Sequence, residues 1–513
     1  MSPRSRSLRL GATAAVALMV VAGAAACTSD DVPAVGDDGL PASMYRLPIT
    51  DPASEIDPLT ESDQNALAIT GLVTEPLVSL DAEGRINPRL ATDWSASADG
   101  LTWTVALREG VVFNDGTPVE PADVVATFEA IIADDSLSPG KSAFAGILDS
   151  VDEAGDSAVE FTLLRPFSDF PLLLTGTNTG ILPADYEPGS WLDNPVGAGQ
   201  FLLTDYTIGT GATYAKNPDY WNADAIELDG VELKIYDDTP AAIIAFQAGE
   251  IDRIGLTVEV ASSVDVAFYD VISSGYNRFD GIFFDVTSEP FDDLTAREAV
   301  AWAIDRPGLV EAVYEGNADV ANDTTFFPDY VPQPTGLTQR EQDVEKVAEL
   351  LAGRTLEFTI TTANQLLGEV LQQQLNAVPG FDVDLEVLST EAYYADSDGS
   401  PWLTAPVTVT NWAKRAPSQY VSLLYADGAA WNASRYDGTE IEELTTLFDA
   451  TTDAAQRQDL VDRIADIQWS DIPVVIPTYS KSQALQNPRV VGEFVGAVDF
   501  YTGYNFAGIS IRQ

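Results

Sequence analysis

The chemistry open to this chain is limited first by what it lacks. It has no histidine and a single cysteine, Cys27. Without an imidazole there is no Ser-His-Asp triad, no Cys-His pair, no His-ligated zinc and no haem with a proximal His. A lone thiol forms neither an intrachain disulfide nor a thiolate cluster. Carboxylates abound instead, with 80 Asp and Glu against 26 Lys and Arg and a net charge of −54. Among so many acids, pairs at catalytic distance arise by chance, and no local pattern singles out the two that a glycosidase needs. Asp396-Ser397-Asp398-Gly399-Ser400 opens like an acidic calcium loop. Its later ligands and closing Glu are missing, so a solvated turn is expected and no metal. Gly197-x-Gly199 could signal phosphate binding, but a strand pattern rather than a helix follows it. No Gly-x-Ser-x-Gly elbow occurs, which leaves an extracellular hydrolase as a distant alternative.

The residues that could bind rather than react cluster late in the chain. Lys414, Arg415 and Arg435 lie close together in a sequence where cations are scarce. Around them stand Tyr393, Tyr394, Trp402, Trp412 and Trp431, with the amides of Asn411 and Asn432. Aromatic walls with a few polar anchors are how a cleft holds a small or peptide-like ligand. For each aromatic, plain core packing is the competing expectation.

These residues need elements to position them. The 513 residues suffice for two or three domains with full cores, and 45% hydrophobic content marks a globular chain. From Gly71 to Ile132 turn chemistry separates a short helix, a hairpin, a second strand pair and an amphipathic helix. Ala82-Glu83-Gly84, Ser97–Gly100 and Asn114-Asp115-Gly116 are the turns. Trp103, Val105 and Leu107 share one strand face, while Val124, Phe128 and Ile131/Ile132 form a helical stripe after Pro121. Strands are expected at 159–164, 231–236, 278–286, 356–361, 383–388, 406–410 and 474–479. Helices are expected at 239–248, 341–351, 364–377, 439–450 and 453–470, with Thr295 and Glu298 as a capping box for another. Their alternation after residue 340 predicts an α/β lobe.

Met1–Ala26 has a basic start (Arg4, Arg6, Arg9), an apolar run from Gly11 to Gly23, and small residues before Cys27. That is an export signal, too short for a membrane span. Its removal leaves 23 cations against 80 acids, a net charge of −57, which disfavours nucleic acid as a partner. Ala24-Ala25-Ala26-Cys27 resembles a lipoprotein cleavage site, and residues 27–43, with four Asp, read as a flexible tether.

The order of several motifs goes beyond physics alone. Leu90-Ala91-x-x-Trp94 is followed by Asp99-Gly-Leu-Thr-Trp-Thr-Val-x-Leu-Arg-x-Gly-Val-x-Phe-x-Asp-Gly-x-Pro-Val-x-x-x-Asp-Val124. Asn194–Leu203, Lys216–Trp221, Ala245–Asp252 and Pro290–Arg306 come later. Together they closely resemble the family 5 extracellular solute-binding proteins, the peptide- and nickel-binding receptors of ABC importers. The resemblance implies an α/β, periplasmic-binding-protein-like fold of two lobes (type II), hinged by two crossing strands near residues 276–285 and 472–479. Lobe I would comprise 44–72, 195–278 and 478–513, with an extra subdomain at 73–194, and lobe II would comprise 279–477. It implies a monomer without cofactor that binds a small peptide and partners an ABC permease, outside the cytoplasm. The family's peptide receptors resemble one another in a Gly-Trp-x-x-Asp whose Asp holds the peptide α-ammonium. Here Trp412 matches the Trp and Arg415 stands in the place of the Asp. Such a reversal offers a fork for a carboxylate or phosphate, which keeps open a receptor for a non-peptide anion or a metal–chelator complex. Arg415 paired with an acid inside the protein is the alternative.

If Cys27 carries the lipid anchor, Cys27→Ser releases the protein from the membrane fraction. Retention of that variant in washed membranes removes the idea.

Overall fold

The computed structural model describes residues 43–52, 55–81, 84–395, 399–426, 428–493 and 504–512. The export signal, Cys27, the tether, Ala82, Glu83 and residues 396–398 of the acidic loop lie outside the described residues. The chain forms the expected α/β architecture around three principal sheets.

In the first sheet Met44–Ile49 pairs parallel with Gly230–Ile235, which continues antiparallel to Gly211–Lys216 and Phe201–Thr207. Gly197 and Gly199 lie just before its last strand. A Cβ on either would come within 2.2 or 2.5 Å of the Val73 carbonyl, and Gly199 donates its N–H to that oxygen at 2.7 Å. The glycine pair serves close backbone packing, not a phosphate.

The second sheet, Ala91–Ala96, Thr102–Leu107, Ala158–Leu163 and Leu148–Glu153, is wholly antiparallel. Trp103 faces Phe161 and Val105 faces Val159 across the ladder. The helix Pro121–Ile132 covers this face, with Phe128 edge-on to Phe161 at 5.0 Å between ring centroids. Val124, Phe128 and Ile131 are fully buried, as the stripe predicted.

The third sheet is mixed and seven-stranded, in the order Arg253–Gly255, Val474–Gln486, Asp270–Phe284, Val407–Ala413, Leu356–Thr362, Phe381–Val387, with Ala318–Val320 added along Val474–Gln486. Both faces are covered, so its strands read as apolar runs rather than alternating ones. Ile282, Phe284 and Val475 point into one core with the helices Leu294–Ala303 and Gln365–Ala377. Phe279, Phe283, Val474 and Ile476 point into another with Thr439–Asp449 and Ala454–Asp471.

Both expected crossings are longer than their apolar stretches. Asp270–Phe284 and Val474–Gln486 pair antiparallel with each other, with irregularities between Ser273 and Tyr276, Tyr276 and Arg278, and Asp280 and Ile282. A strand ladder broken at three places bends more readily there than a regular one.

Two helix starts differ from expectation. Asp293, not Thr295, caps Leu294–Ala303, its carboxylate accepting from the Thr295 amide at 3.0 Å. Aspartate is as good a cap as threonine and comes first in the chain. The helix expected from Glu341 begins at Val344, capped by Asp343. Arg340 delays it: its amide donates to Asn322 and its side chain is drawn into the core.

There Arg340 joins a buried ionic cluster. Arg306 donates to both Asp323 oxygens at 3.0 and 2.9 Å, and to the carbonyls of Ala321 and Ile476. Arg340 donates to the same carboxylate, and Asp323 also accepts the Ile476 amide at 2.9 Å. Removing a shared partner strands the remaining charges without water. Asp323→Ala is therefore expected to cost about 3–5 kcal/mol, read as a lower denaturant midpoint.

Candidate ligand-binding site

The strand Val407–Ala413 ends where the chain leaves the third sheet, and the next four residues form a ledge. The Lys414 amide donates to the Asn277 carbonyl at 2.7 Å. The Tyr420 hydroxyl then pins the turn, donating to the Ala413 carbonyl at 2.7 Å and accepting the Arg415 amide at 3.0 Å. Ala416 is fully buried in the core of the antiparallel subdomain. The ledge thus reaches from one half of the molecule into the other.

Between them lies a cavity of about 380 Å³. Phe144, Arg165 and Thr177 line it from the subdomain, and Lys414, Arg415 and Trp431 from the ledge and the loop after it. That volume lies within the range of small-molecule sites, roughly 300–1,000 Å³.

Of the cations, aromatics and amides singled out in the sequence, Lys414, Arg415 and Trp431 line this cavity. The Arg415 guanidinium stands 5.8 Å from the Trp431 ring centre. Trp412 is buried behind Trp431, ring centres 5.6 Å apart, and packs on Phe283 and Trp402. Asn411 points the other way along its strand and is exposed. Asn432 spends its side chain inside its own turn, donating to the Tyr436 carbonyl and accepting from Ser434. Arg435, the third cation of the group, turns away to pair with Asp285. The expected aromatic group is continuous, since Tyr394 packs at a tilt against Trp402 and Trp402 edge-on against Trp431. Tyr393 is core, its hydroxyl donating to the Val409 carbonyl.

The charged side chains on the cavity wall are Arg165, Lys414 and Arg415, and no carboxylate joins them among the described residues. Lys414 is paired with Asp329 at 2.5 Å and Arg165 with Asp449 at 2.6 Å. Arg415 has no carboxylate partner among the described residues; its Nη1 donates to the Ala413 carbonyl at 3.0 Å.

A clasp that the sequence reading did not anticipate stands beside the cavity. Asp169 of the subdomain accepts from Arg457 at 2.7 Å and from the Tyr330 hydroxyl at 2.5 Å. Ser168 donates its amide to the Asp449 carbonyl and its hydroxyl to that of Phe448. Partners almost 300 residues apart leave no local signal. A Ser-x-x-Lys spacing, expected to be absent, does occur at Ser138–Lys141. The Lys141 ammonium donates to the carbonyls of Ala133 and Asp134 and its backbone amide to the Ser138 carbonyl at 3.1 Å, while the Ser138 hydroxyl has no hydrogen-bond partner among the described residues.

Burial pushes the Asp449 carboxyl up from 3.8 to about 6, against the pull of Arg165. Between those values the folded protein holds a proton that the unfolded chain releases, so this group's contribution to stability falls as pH rises through the window. On acidification from pH 7 to 4.5, wild type should gain about 2 kcal/mol relative to Asp449→Asn. Melting curves of both proteins across that range check it; parallel curves refute it.

Comparison with known proteins shows the family. Residues 85–433 match the family model for bacterial extracellular solute-binding proteins, family 5 (middle). The chain is 26% identical over 486 residues to the glutathione-binding protein GsiB of Escherichia coli O1:K1, covering 89% of this chain and 92% of that one. It is 25% identical over 468 residues to the dipeptide-binding protein DppE of Bacillus subtilis, covering 82% and 83%. The crystal structure of the ABC transporter substrate-binding protein CtaP from Listeria monocytogenes superposes with a TM-score of 0.75 at 23% identity, covering 92% of this chain and 99% of that one. With two thirds of its length matched by the family model, the chain belongs to the family 5 bacterial extracellular solute-binding proteins.

Proposed function

We propose that this protein is an extracytoplasmic receptor of an ABC importer, which encloses a small peptide or peptide-like solute and delivers it to the permease. The reading is of a monomer, held at the outer face of the cell membrane by a lipid on Cys27. Among the described residues no helix is long and apolar enough to cross a membrane. The observation that carries the proposal is the cavity itself, walled from both sides by parts of the chain that meet through the ledge 414–417. The names of GsiB and DppE support a peptide-like solute. Capture needs no covalent step: a solute that touches both walls favours the arrangement in which they approach, by its differential affinity for it. Lobe I (44–72, 195–278, 478–513) with its subdomain (73–194) would supply one wall, and lobe II (279–477) the other. The broken ladder of the crossing strands would supply the bend.

Within that cavity Arg415 would hold an anionic group against the face of Trp431, with Trp412 supporting the wall from behind. A charged hydrogen bond of this kind contributes about 1.5–3 kcal/mol, so Arg415→Ala should weaken binding roughly ten- to a hundred-fold. Arg415→Lys should recover part of it, since an ammonium lacks the planar fork. Native mass spectrometry of the purified protein identifies the co-purified solute, and calorimetry with that solute measures the variants. Unchanged affinity in Arg415→Ala with a lowered melting temperature would make Arg415 structural.

A further inference from the structure

Two guanidinium groups reach the cavity from opposite walls, Arg165 from the subdomain and Arg415 from the ledge. Each spends one nitrogen inside the protein. Arg165 donates through Nη1 to Asp449 at 2.6 Å, and Arg415 through Nη1 to the Ala413 carbonyl at 3.0 Å. In both, the Nε–Nη2 edge meets no acceptor among the described residues. That edge presents two parallel N–H groups at the spacing of a carboxylate's oxygens. Asp449 is nearly fully buried and holds Arg165 from behind, so the fork is oriented before any solute arrives. Lys414 is already committed to Asp329. The rest of the wall is largely apolar or uncharged, with Phe144, Leu173, Leu423 and Trp431.

The geometry points to a solute carrying two anionic groups, a short acidic peptide, with one group on each open guanidinium edge. Arg165 is then a specificity-determining contact in addition to Arg415. This rests on the receptor reading above and narrows it. A solute with both groups bridges the two walls through its charges, whereas a solute with one leaves the other fork facing solvent. The basis for choosing between solutes is the unpaired N–H edge left behind, which in a half-enclosed site costs affinity whenever it finds no acceptor.

The test uses protein stripped of co-purified solute by unfolding and refolding, titrated by calorimetry with Ala-Ala-Glu, Ala-Ala-Gln and Ala-Ala-Lys. Ala-Ala-Glu should bind about ten- to a hundred-fold tighter than Ala-Ala-Gln, which has the same shape and one carboxylate fewer. Ala-Ala-Lys should bind weakest. In Arg165→Gln the Glu-to-Gln ratio should fall to near one, and in Arg165→Lys it should lie between. Arg165 is part-exposed, and a retained melting temperature shows that the variant folds. A ratio near one in wild type, or one that survives Arg165→Gln, overturns the inference while the receptor reading stands. Binding of none of the three peptides removes the peptide-receptor reading and this inference with it.

Discussion

Asp323 sits out of water between Arg306 and Arg340, and its carboxylate also takes the amide proton of Ile476. Taking three charges out of water is costly, and the cost is offset only while the charge-assisted hydrogen bonds to Asp323 and the neighbouring carbonyls keep their geometry. The cluster therefore tolerates little displacement of its parts. Those parts are the helix that starts at Arg306, the loop that ends at Arg340 and the second crossing strand. Fixing Ile476 in turn fixes the register of Val474–Gln486 against Asp270–Phe284, and that pair is the spine of the third sheet. Val407–Ala413 pairs with the first of these strands, so the ledge bearing Lys414 and Arg415 takes its position from the spine.

Charge is distributed with a definite logic. With 80 acids to 26 cations, any Lys or Arg has carboxylates to spare. Most cations near the cavity use them: Arg457 on Asp169, Lys414 on Asp329, Arg435 on Asp285. An arginine that meets no carboxylate in such a chain is one the fold keeps apart from them. Arg415 is kept apart by the Tyr420 hydroxyl, which fixes its backbone, and by its own bond to Ala413. The aromatic group behind it, from Tyr394 through Trp402 to Trp431, provides a firm backing because each ring is held by the next.

Much of this was legible in residue order, and what was not has physical reasons. Strands whose two faces are both buried announced themselves as apolar runs, as with Ile282–Phe284 and Val474–Ile476. The other halves of the same strands, Asp270–Gly275 and Ser480–Gln483, are rich in Ser and polar groups, so their extent depends on pairing with each other. Arg415 stood out through its motif and Trp431 through the density of aromatics around it, and the two meet at the cavity, while Asn411, beside Trp412 in sequence, falls on the opposite strand face. Arg165 gave no signal, because what makes it notable is a partner at position 449. The cap at Asp293 was misread by two residues because Thr295 and Glu298 also satisfy a capping pattern.

The cationic forks stand inside a strongly negative molecule, and the two act over different distances. Screening confines surface fields to about 8 Å at physiological ionic strength, so beyond that an approaching anion meets little of the field, and nearer it first meets repulsion from the surface acids. The forks act at contact, where water has been displaced and dissolved ions have little access. Salt therefore divides the two steps of capture. Added salt weakens the barrier on approach and quickens association, while the rate of escape, set by the enclosed contacts, changes far less. For an acidic solute this receptor would take up its cargo faster in brine than in fresh water, the reverse of the usual dependence for an anion held by arginines.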